Sequence, residues 1–364
     1  MINYCLIVYK YKLKFLITGG LGFIGSTLIK KIIQETKHHV LNLDKQTYAS
    51  NLFNLKSIEK NQRYSFVKGD ICDEILVKKL IYNFRPNYLM HLAAESHVDN
   101  SINNPSEFIS TNIIGTFKLL KICYQYWESL PFDSKNNFKF HHISTDEVYG
   151  SQTSDKLFTE ESKYDPSSPY AASKASSDHL VRAWFKTYNM PILISNCSNN
   201  YGPYQSMEKL IPLTIYNSLN HKSIPIYGDG LQVRDWIYVK DHCEALKKIL
   251  FNGEPGDVYN IGSSIELKNI DIVRKICSIL DLIVPIKKNK SYSELISFVE
   301  DRPGHDYRYA INSNKIKEQL GWEPKTSFQE GIESTIKWYL NNNDWIQRAT
   351  GKSFKDWINL QYSQ

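Results

Sequence analysis

Two residues near the middle of the chain, Tyr170 and Lys174, have the types and spacing needed for proton transfer. Side chains four residues apart lie on one face of a helix, so the ammonium can stabilise a phenolate. An unperturbed tyrosine titrates near pH ~10, and a neighbouring cation favours its ionised form. We predict that Tyr170 is a catalytic base supported by Lys174. For an isolated Tyr-x-x-x-Lys pattern, a surface pair is the alternative.

A pair of adjacent carboxylates, Asp146 and Glu147, follows an apolar run that reads as a buried strand. Ligands of open parallel sheets bind beyond the carboxyl ends of the strands, so this pair is expected to point into a site. Two carboxylates whose surroundings separate their pKa values can serve as an acid and a base. The alternative interpretation is a solvated loop that caps the next turn.

A glycine-rich turn with the spacing Gly19-x-x-Gly22-x-x-Gly25 lies between the first predicted strand and the first predicted helix. In a dinucleotide fingerprint one glycine makes the tight turn, one lets the backbone approach the pyrophosphate, and one lets helix and strand pack closely. The anion meets the free N–H groups at the helix start. The strand–turn–helix context predicts dinucleotide binding, rather than a purely structural turn, and it strengthens the catalytic interpretation of Tyr170.

The ends of the next predicted strands carry residues suited to the rest of the cofactor. Asp44 can hydrogen-bond the adenosine ribose hydroxyls and would repel a 2′-phosphate, which favours NAD over NADP. Lys45 beside it is an argument in the opposite direction. Asp70 and Ile71 are placed to frame the adenine, and the small residues within 92–94 permit close approach of the cofactor.

Strand and helix patterns alternate through the first two hundred residues. The predicted strands are 13–18, 40–44, 64–67, 88–93, 138–144 and 192–196, and the predicted helices are 23–34, 74–84, 112–127 and 170–188. Such alternation implies βαβ units, and continuous apolar runs suit strands that are buried on both faces. The predicted fold class is α/β, a Rossmann doubly wound parallel sheet with a smaller C-terminal substrate-binding lobe.

The alternation of strand and helix patterns ends after about residue 200, where Gly, Pro and Asn cluster. Two further helical patterns follow at 267–280 and 327–340. We expect residues 233–239 and 258–261 to return strands to the larger sheet. The predicted organisation is an N-terminal extension (1–12), an NAD-binding Rossmann domain (13–200, with strands returning from about 233–262) and a mainly substrate-binding lobe (201–364).

Composition restricts the class of protein. The chain has 364 residues, 42% of them hydrophobic, and a net charge of 44 − 38 = +6, which is ordinary globular composition without a nucleic-acid-binding arm. The cysteines form no C-x-x-C pair, and neither they nor the histidines show zinc-like spacing, so we predict no metal site and a reducing compartment. No run reaches the ~18 apolar residues of a membrane span. Residues 1–12 hint at a signal peptide but lack a cleavage site, and we interpret them as a short extension.

A resemblance to a known family extends over most of residues 13–340. It is carried, in chain order, by the motifs TGGLGFIG, HLAAESHVDNSI, HHISTDEVYG, SSPYAASKASSDHLVRAW, NCSNNYGPY, EKLIPL, PIYGDGLQVRDWIYV and DRPGHD. The chain resembles the dTDP-glucose 4,6-dehydratases, which are extended short-chain dehydrogenases/reductases of nucleotide-sugar metabolism. Epimerases and decarboxylases of the same superfamily usually lack an Asp-Glu pair after Ser-Thr. Thr145-Asp146-Glu147 is therefore the most discriminating feature.

The resemblance implies a role for each matching residue. Asp146 resembles the acid that protonates the leaving C6 hydroxyl, and Glu147 the base that removes the C5 proton. Tyr170 resembles the base at the C4 hydroxyl, supported by Lys174 and the Thr145 hydroxyl. The implied enzyme is a cytoplasmic homodimeric lyase that converts dTDP-glucose to dTDP-4-keto-6-deoxy-glucose and water, with NAD as cofactor and no nucleic-acid or membrane partner.

The resemblance also implies two sets of contacts. Besides Gly19, Gly22, Gly25, Tyr170 and Lys174, the cofactor contacts are Phe23, Ile24, Asp44, Lys45, Gln46, Thr47, Asp70, Ile71, Leu92, Ala93, Ala94, Glu95, Ser96, Thr111 and Asn200. The sugar-nucleotide contacts are Ser96, Thr145, Asn199, Lys209, Leu210, Pro225, Ile226, Tyr227, Arg234, Asn269, Asp301, Arg302, Pro303, Gly304 and His305. The fork of Arg234 suits a pyrophosphate, with a structural salt bridge as the alternative.

Two departures from the family pattern affect the expected nucleotide pocket. Ser206-Met207 stands where Phe-Pro is usual, and Tyr307 replaces a common Arg. The alternatives to the implied activity are a dehydratase or epimerase acting on another nucleotide sugar, and a non-enzymatic NAD-binding protein. A scaffold has no use for the Tyr, Lys, Asp and Glu set, which favours an enzyme.

Overall fold

The computed structural model describes residues 12–152, 154–286 and 290–362. The predicted N-terminal extension lies outside the described residues except for Lys12. In chain order the strands of this part are β1 (Lys14–Thr18), β2 (His39–Asp44), β3 (Tyr64–Lys68), β4 (Tyr88–His91), β5 (Lys139–Thr145), β6 (Ile192–Cys197), β7 (Asn199–Tyr201), β8 (Ile224–Tyr227), β9 (Val233–Tyr238), β10 (Val258–Ile261), β11 (Glu266–Lys268), β12 (Ile296–Val299) and β13 (Arg308–Tyr309).

Helices connect and cover these strands. The α-helices are α1 (Phe23–Glu35), α2 (Glu74–Phe84), α3 (Val98–Asn103), α4 (Pro105–Phe108), α5 (Thr116–Glu128), α6 (Phe132–Asn137), α7 (Pro169–Tyr188), α8 (Leu210–Leu219), α9 (Val239–Asn252), α10 (Asn269–Ile283), α11 (Asn314–Leu320), α12 (Phe328–Asn341), α13 (Asn343–Ala349) and α14 (Lys352–Tyr362). Short 3₁₀ turns span Leu52–Ile58, Asp146–Tyr149 and Tyr292–Leu295, and Ile109–Gly115 is π-helical. Within the described ranges, no helix is both long and apolar enough to cross a membrane.

Seven parallel strands form the central sheet in the order β10-β6-β5-β4-β1-β2-β3. Successive residues of β1 enter opposite cores: Ile17 packs with the apolar faces of α1 and α9, whereas Leu16 packs with those of α2, α5 and α7. The sheet is thus buried on both faces, as its apolar strands require. The predicted Rossmann architecture is confirmed, and the strand order reverses beside β1, where such folds bind ligands.

The predicted helix at 112–127 differs from the observed one. Helical backbone begins earlier, as the π-helical segment Ile109–Gly115, and continues into α5. This segment passes close to the loop after β3, since a Cβ added at Gly115 would lie 2.6 Å from Cδ1 of Ile71. A search for 3.6-residue periodicity does not detect a π turn, because the wider turn shifts the apolar positions.

A second, four-stranded sheet belongs to the C-terminal lobe. Strand β9 pairs with β7, β11 and β13, while β8 and β12 form a separate parallel pair. The prediction that 258–261 returns to the large sheet is confirmed, because β10 is its edge strand beside β6. The same prediction for 233–239 is wrong. Both edges of β9 are hydrogen-bonded within the small sheet, so β9 has no free edge for the large one.

The two parts of the molecule are closely joined. Helix α9 follows β9 directly and buries Leu246 and Ile249 in the core of the large sheet. The lobe has its own core of aliphatic and aromatic side chains, which includes Ile215 and Ile272. Residues after 200 therefore supply the edge strand β10 of the large sheet and the helix α9 that covers one of its faces.

Candidate active site

One cleft collects the carboxyl ends of the central strands. It encloses about 1550 Å³, including the part open to solvent. Its lining contains every predicted cofactor residue except Gln46, and all of the predicted catalytic residues: Thr145, Asp146, Glu147, Tyr170 and Lys174. The motifs that the sequence singled out independently therefore meet in one place.

The glycine turn has the geometry of a phosphate cradle. Gly19 has a positive φ of 74°, and a Cβ added there would lie 2.6 Å from the backbone N of Ala93. A Cβ at Gly25 would lie 2.3 Å from the carbonyl oxygen of Gly19. Helix α1 starts after Gly22 without a side-chain cap, which leaves its first N–H groups available to an anion. The backbone here fits a dinucleotide pyrophosphate.

Asp44 shapes the second cofactor loop and still has capacity for a ribose. Its Oδ2 accepts a hydrogen bond from the N–H of Leu21 (2.9 Å), and its Oδ1 accepts from the N–H of Gln46 and the hydroxyl of Ser50 (both 2.7 Å). A carboxylate has about four lone-pair positions, so one remains for a hydroxyl. The Lys45 ammonium pairs with Asp70 at 2.9 Å, which removes it as an argument for a 2′-phosphate.

The two candidate carboxylates follow directly from the end of β5. Strand β5 ends at Thr145, whose hydroxyl accepts from the N–H of Glu147 (3.3 Å) and donates to Oδ1 of Asp146 (3.4 Å). This local turn places both acidic side chains and the threonine hydroxyl on the cleft lining.

Burial raises the pKa of Asp146 well above its ordinary value, and the charges of Glu147 and Asp235 raise it further. These shifts favour the protonated form of Asp146. Burial also raises the pKa of Glu147, but the cations of Arg302, Lys209 and Arg234 oppose that rise. The surroundings thus favour the acid form of Asp146 and stabilise the carboxylate of Glu147, as an acid and base pair requires.

Tyr170 differs from the expectation that its phenol is readily ionised. Burial and the negative charge of Glu147 raise the pKa of Tyr170 well above its ordinary value, and the Thr145 side chain opposes the rise. The ammonium of Lys174 donates to the carbonyl oxygen of Ile143 at 2.9 Å. The cost of burying the phenol is a property of the folded protein that the sequence pattern does not show.

The predicted sugar-nucleotide residues fall into two groups. Ser96, Thr145, Asn199 and Lys209 line the cleft. Leu210, Pro225, Ile226, Tyr227, Arg234, Asn269, Asp301, Arg302, Pro303, Gly304 and His305 do not line it, although the charges of Arg302 and Arg234 act on Glu147. Arg234 donates to the carbonyl oxygens of Val233, Asp306 and Tyr307, so its hydrogen bonds go to backbone and no salt bridge is formed by it among the described residues.

Asp99 is a residue that the motif analysis missed. It is buried, and its two oxygens accept from Arg302 (3.3 Å) and from the hydroxyl of Tyr227 (3.1 Å). A signal was available, since Asp99 lies within the quoted HVDNSI motif, three residues after Ser96. Glu208 and Cys197, which line the cleft, also lie within quoted motifs, EKLIPL and NCSNNYGPY.

The two departures from the family pattern lie in different surroundings. Met207 is buried in the core of the lobe. Tyr307 is 52% exposed, and its N–H donates to the hydroxyl of Ser151 at 3.0 Å. Neither Met207 nor Tyr307 lines the cleft, whereas Ser206 does.

The fold and the site together define a class: an extended short-chain dehydrogenase/reductase with a dehydratase-type Asp-Glu pair. A family model described as GDP-mannose 4,6 dehydratase matches residues 16–335. The chain is 52% identical over 359 residues to dTDP-glucose 4,6-dehydratase of Salmonella typhimurium, covering 96% of this chain and 99% of that protein. It is 53% identical to an Escherichia coli dTDP-glucose 4,6-dehydratase, covering 94% and 98%.

Solved structures agree with these sequence relatives. DesIV, a dTDP-glucose 4,6-dehydratase of Streptomyces venezuelae crystallised with NAD and TYD, superposes with a TM-score of 0.83 at 39% identity, covering 92% of this chain and 98% of that one. UDP-glucose 4-epimerase of Thermotoga maritima superposes with a TM-score of 0.79 at 27% identity, covering 91% and 100%. The chain belongs to the dTDP-glucose 4,6-dehydratase family.

Proposed function

We propose that this chain converts dTDP-glucose to dTDP-4-keto-6-deoxy-glucose and water, with NAD as its cofactor. The observation that carries the proposal is the meeting of Tyr170, Asp146 and Glu147 with the glycine cradle in one cleft. The family relationship supports the same activity. The cradle, Asp44 and the Lys45–Asp70 pair suit NAD, and they would hold it across the carboxyl ends of the central strands.

The reaction begins at the sugar C4 hydroxyl. When bound, NAD supplies the hydride acceptor at C4, the hydride donor at C6, and a positive charge beside the phenol. Tyr170 takes the C4 hydroxyl proton, and the nearby Thr145 side chain favours the ionised form of the phenol. Lys174 adds its positive charge on the same helix face.

Elimination follows because the new C4 ketone makes the C5 hydrogen acidic. Glu147 removes that proton, and the cations around this carboxylate keep it available as a base. Asp146, held protonated by its burial, gives its proton to the departing C6 hydroxyl. Water leaves, C6 receives the hydride, and Glu147 returns a proton to C5. The proton taken by Tyr170 replaces the one that Asp146 gave up, so the cycle needs no external oxidant.

The sugar nucleotide would be held by groups on both sides of the cleft. Lys209 donates to the carbonyl oxygen of Ser96 at 3.1 Å and lines the cleft. Arg302 and Arg234 place positive charge toward Glu147 from the lobe. We propose that these three cations face the substrate and its pyrophosphate, with Asn199 contributing hydrogen bonds.

The direct test is conversion of dTDP-glucose by the purified protein, measured as the alkali-induced absorbance of a 4-keto sugar. UDP-glucose and GDP-mannose are run in parallel. Conversion of dTDP-glucose with the highest kcat/KM supports the proposal. Faster dehydration or epimerisation of another nucleotide sugar would identify the alternative enzyme, and no conversion of any of them would favour a binding protein.

Assembly and location extend the same proposal. We infer a homodimer, supported by exposed apolar side chains at Ile109, Ile114, Phe117 and Tyr188 beside helices α5 and α7. Light scattering should give twice the chain mass of 42.3 kDa. A species of single chain mass at working concentration would contradict the dimer.

We propose a cytoplasmic location, supported by the free state of the cysteines in the described ranges.

A further inference from the structure

The catalytic lysine lies in a fully buried polar cluster behind the active site. His142 on β5 and Asp178 on α7 both have side chains with 0% exposure. The Nε2 atom of His142 lies 3.2 Å from Oδ1 of Asp178 and 3.4 Å from Nζ of Lys174. Asp178 follows Lys174 by four residues, so the helix brings both onto the face that covers the imidazole. The proposed mechanism does not use either His142 or Asp178.

His142 is a neutral ring between two charged groups. Burial lowers the pKa of His142 to about 4, so the ring carries one N–H at neutral pH. The hydroxyl of Ser177, also near Nε2, donates to the carbonyl oxygen of Lys174. The Nε2 atom thus lies between the Lys174 ammonium, at 3.4 Å, and Oδ1 of Asp178, at 3.2 Å.

Asp178 is held as an anion by several donors. Its Oδ2 accepts from the hydroxyls of Ser144 and Tyr164, both at 2.9 Å. Burial opposes the charge, but the hydrogen bond and proximity of His142 together with the Lys174 charge lower the pKa of Asp178. Arg182 donates to the Tyr164 hydroxyl at 2.9 Å, which supports the same network from the outer side.

The groups that face Lys174 from the neighbouring strands are neutral at pH 7. Burial lowers the pKa of His91 on β4 well below its ordinary value, and burial raises the pKa of the Cys197 thiol on β6. Burial lowers the pKa of Lys174 itself, and the Asp178 charge raises it again. A buried ammonium requires an opposing charge, and Asp178 supplies one.

From this geometry we propose that Asp178 is a positioning residue for catalysis, whose buried carboxylate, acting across the imidazole of His142, keeps the Lys174 ammonium protonated in the cleft that it shares with Tyr170. Only the expected effect of Asp178 on kcat/KM rests on the proposed function. The charge state of Lys174 is a property of the folded chain alone, and it can be measured without substrate.

The sign of the effect follows from the charges. Without the Asp178 carboxylate, burial of Lys174 is no longer offset, so its pKa falls and the ammonium is lost at a lower pH. The phenol of Tyr170 then loses a nearby cation, so its pKa rises. The bell-shaped plot of kcat/KM against pH should therefore become narrower on both its acidic and its alkaline side. On either side, a shift of one pKa unit changes kcat/KM at a given pH by about tenfold.

Asp178→Asn is the decisive variant, because it keeps the size and an acceptor oxygen while removing the charge. Asp241→Asn is the matched control: Asp241 is also buried, accepts from the N–H of Thr326 (2.8 Å) and does not line the cleft. We expect a narrower pH profile for Asp178→Asn, recovery of width in Asp178→Glu, and an unchanged profile for Asp241→Asn. A uniform loss at every pH, in step with a lower Tm, would show that Asp178 is only structural.

A second measurement is independent of turnover. The ¹³Cε resonance of Lys174, assigned by its absence in Lys174→Met, is titrated in the wild type, in Asp178→Asn and in His142→Gln. The Lys174 pKa should fall by about one unit or more in Asp178→Asn and by less in His142→Gln. An unchanged titration in both variants overturns the proposal, even if dTDP-glucose is converted. Wild-type protein that fails to convert dTDP-glucose while the Lys174 titration shifts as expected would instead contradict the proposed function.

Discussion

The cofactor side and the sugar-nucleotide side of the cleft are built in different ways. On the cofactor side, consecutive residues of a few strand ends form the lining, and the decisive contacts are backbone ones around Gly19 and Gly25. On the other side, residues from distant parts of the chain meet through side-chain pairs, such as Asp99 with Arg302 and Asp99 with Tyr227. A dinucleotide cradle is thus a local property of a sequence, whereas the sugar-nucleotide subsite exists only once the lobe has packed.

The difference explains how substitutions should act. A change in the backbone cradle alters cofactor binding as a unit, because several N–H groups and a helix start move together. A change in one side-chain pair of the lobe should affect only the sugar nucleotide. The reacting groups lie between the two sides, so their loss should remove turnover and leave both bound ligands in place.

The largest expected effect is that of Tyr170→Phe, which keeps the ring and removes the acidic hydroxyl. A general acid or base contributes ~10²–10⁴-fold to the rate, so kcat should fall by about that factor. Equilibrium dialysis should show unchanged binding of NAD and of dTDP. More than half of the wild-type rate would remove Tyr170 from the mechanism.

Substitution of either carboxylate should lower kcat by ~10²–10⁴-fold, but the two variants should block different steps. Glu147→Gln should oxidise C4 but fail to deprotonate C5, because an amide is not a base. The absorbance of reduced nicotinamide should then rise without 4-keto-6-deoxy product. Asp146→Asn should still exchange the C5 hydrogen with deuterated buffer, measured by mass spectrometry. Rapid exchange in Glu147→Gln and none in Asp146→Asn would reverse the two roles.

Gly19→Ala tests the backbone character of the cofactor side. The added Cβ meets Ala93 and Leu92 backbone atoms at 2.6–2.8 Å in a left-handed conformation, and strain of about 1–3 kcal/mol corresponds to a roughly 5–150-fold loss of NAD affinity. Gly321→Ala is the control, since its φ is 61° but the nearest atom to its added Cβ is Nζ of Lys248, 3.9 Å away. Similar NAD affinity in both variants, measured by fluorescence titration, would show that crowding at the cradle is unimportant.

Asp99→Asn tests the side-chain character of the sugar-nucleotide side. The amide keeps an acceptor for Tyr227 but no longer neutralises Arg302. The KM for dTDP-glucose should rise about tenfold, equivalent to ~1.4 kcal/mol, while NAD affinity stays the same. Asp281→Asn, whose partners Ser291 and Tyr292 lie elsewhere in the lobe, should leave KM unchanged. A parallel loss of NAD affinity in Asp99→Asn would mean that the two sides are coupled.

The smallest effect is expected from deleting residues 2–11. Strand β1 begins at Lys14, and the motif order needs nothing before it. Activity should stay within about twofold, and the thermal midpoint should move by less than the ~2–4 °C that 1 kcal/mol produces in a chain of 150–250 residues. A marked fall in either quantity would contradict our interpretation of residues 1–12 as a dispensable extension.

Features that depend on neighbouring residues were predictable from the sequence. The strand runs, the helix at Glu74–Phe84 and the glycine turn are set by apolar periodicity and backbone sterics, and the structure confirms them. The placement of β9 was not predictable, because its partners β7, β11 and β13 are chosen by packing across the chain. The raised pKa of Tyr170 was missed for a related reason, since packing against Val98 and Phe108 and the charge of Glu147 have no local signature.

The position of β10 bears on how the chain folds during synthesis. Strand β6 emerges from the ribosome with one edge unpaired, and its partner β10 is not made until about sixty residues later. Unpaired strand edges invite association with other chains. A nascent chain ending near residue 200 would therefore carry an open, apolar sheet edge and lack the cover of α9, so the predicted boundary at 200 separates functions but not an autonomous folding unit. Productive folding of the cofactor-binding half should wait until residue 261 has left the exit tunnel.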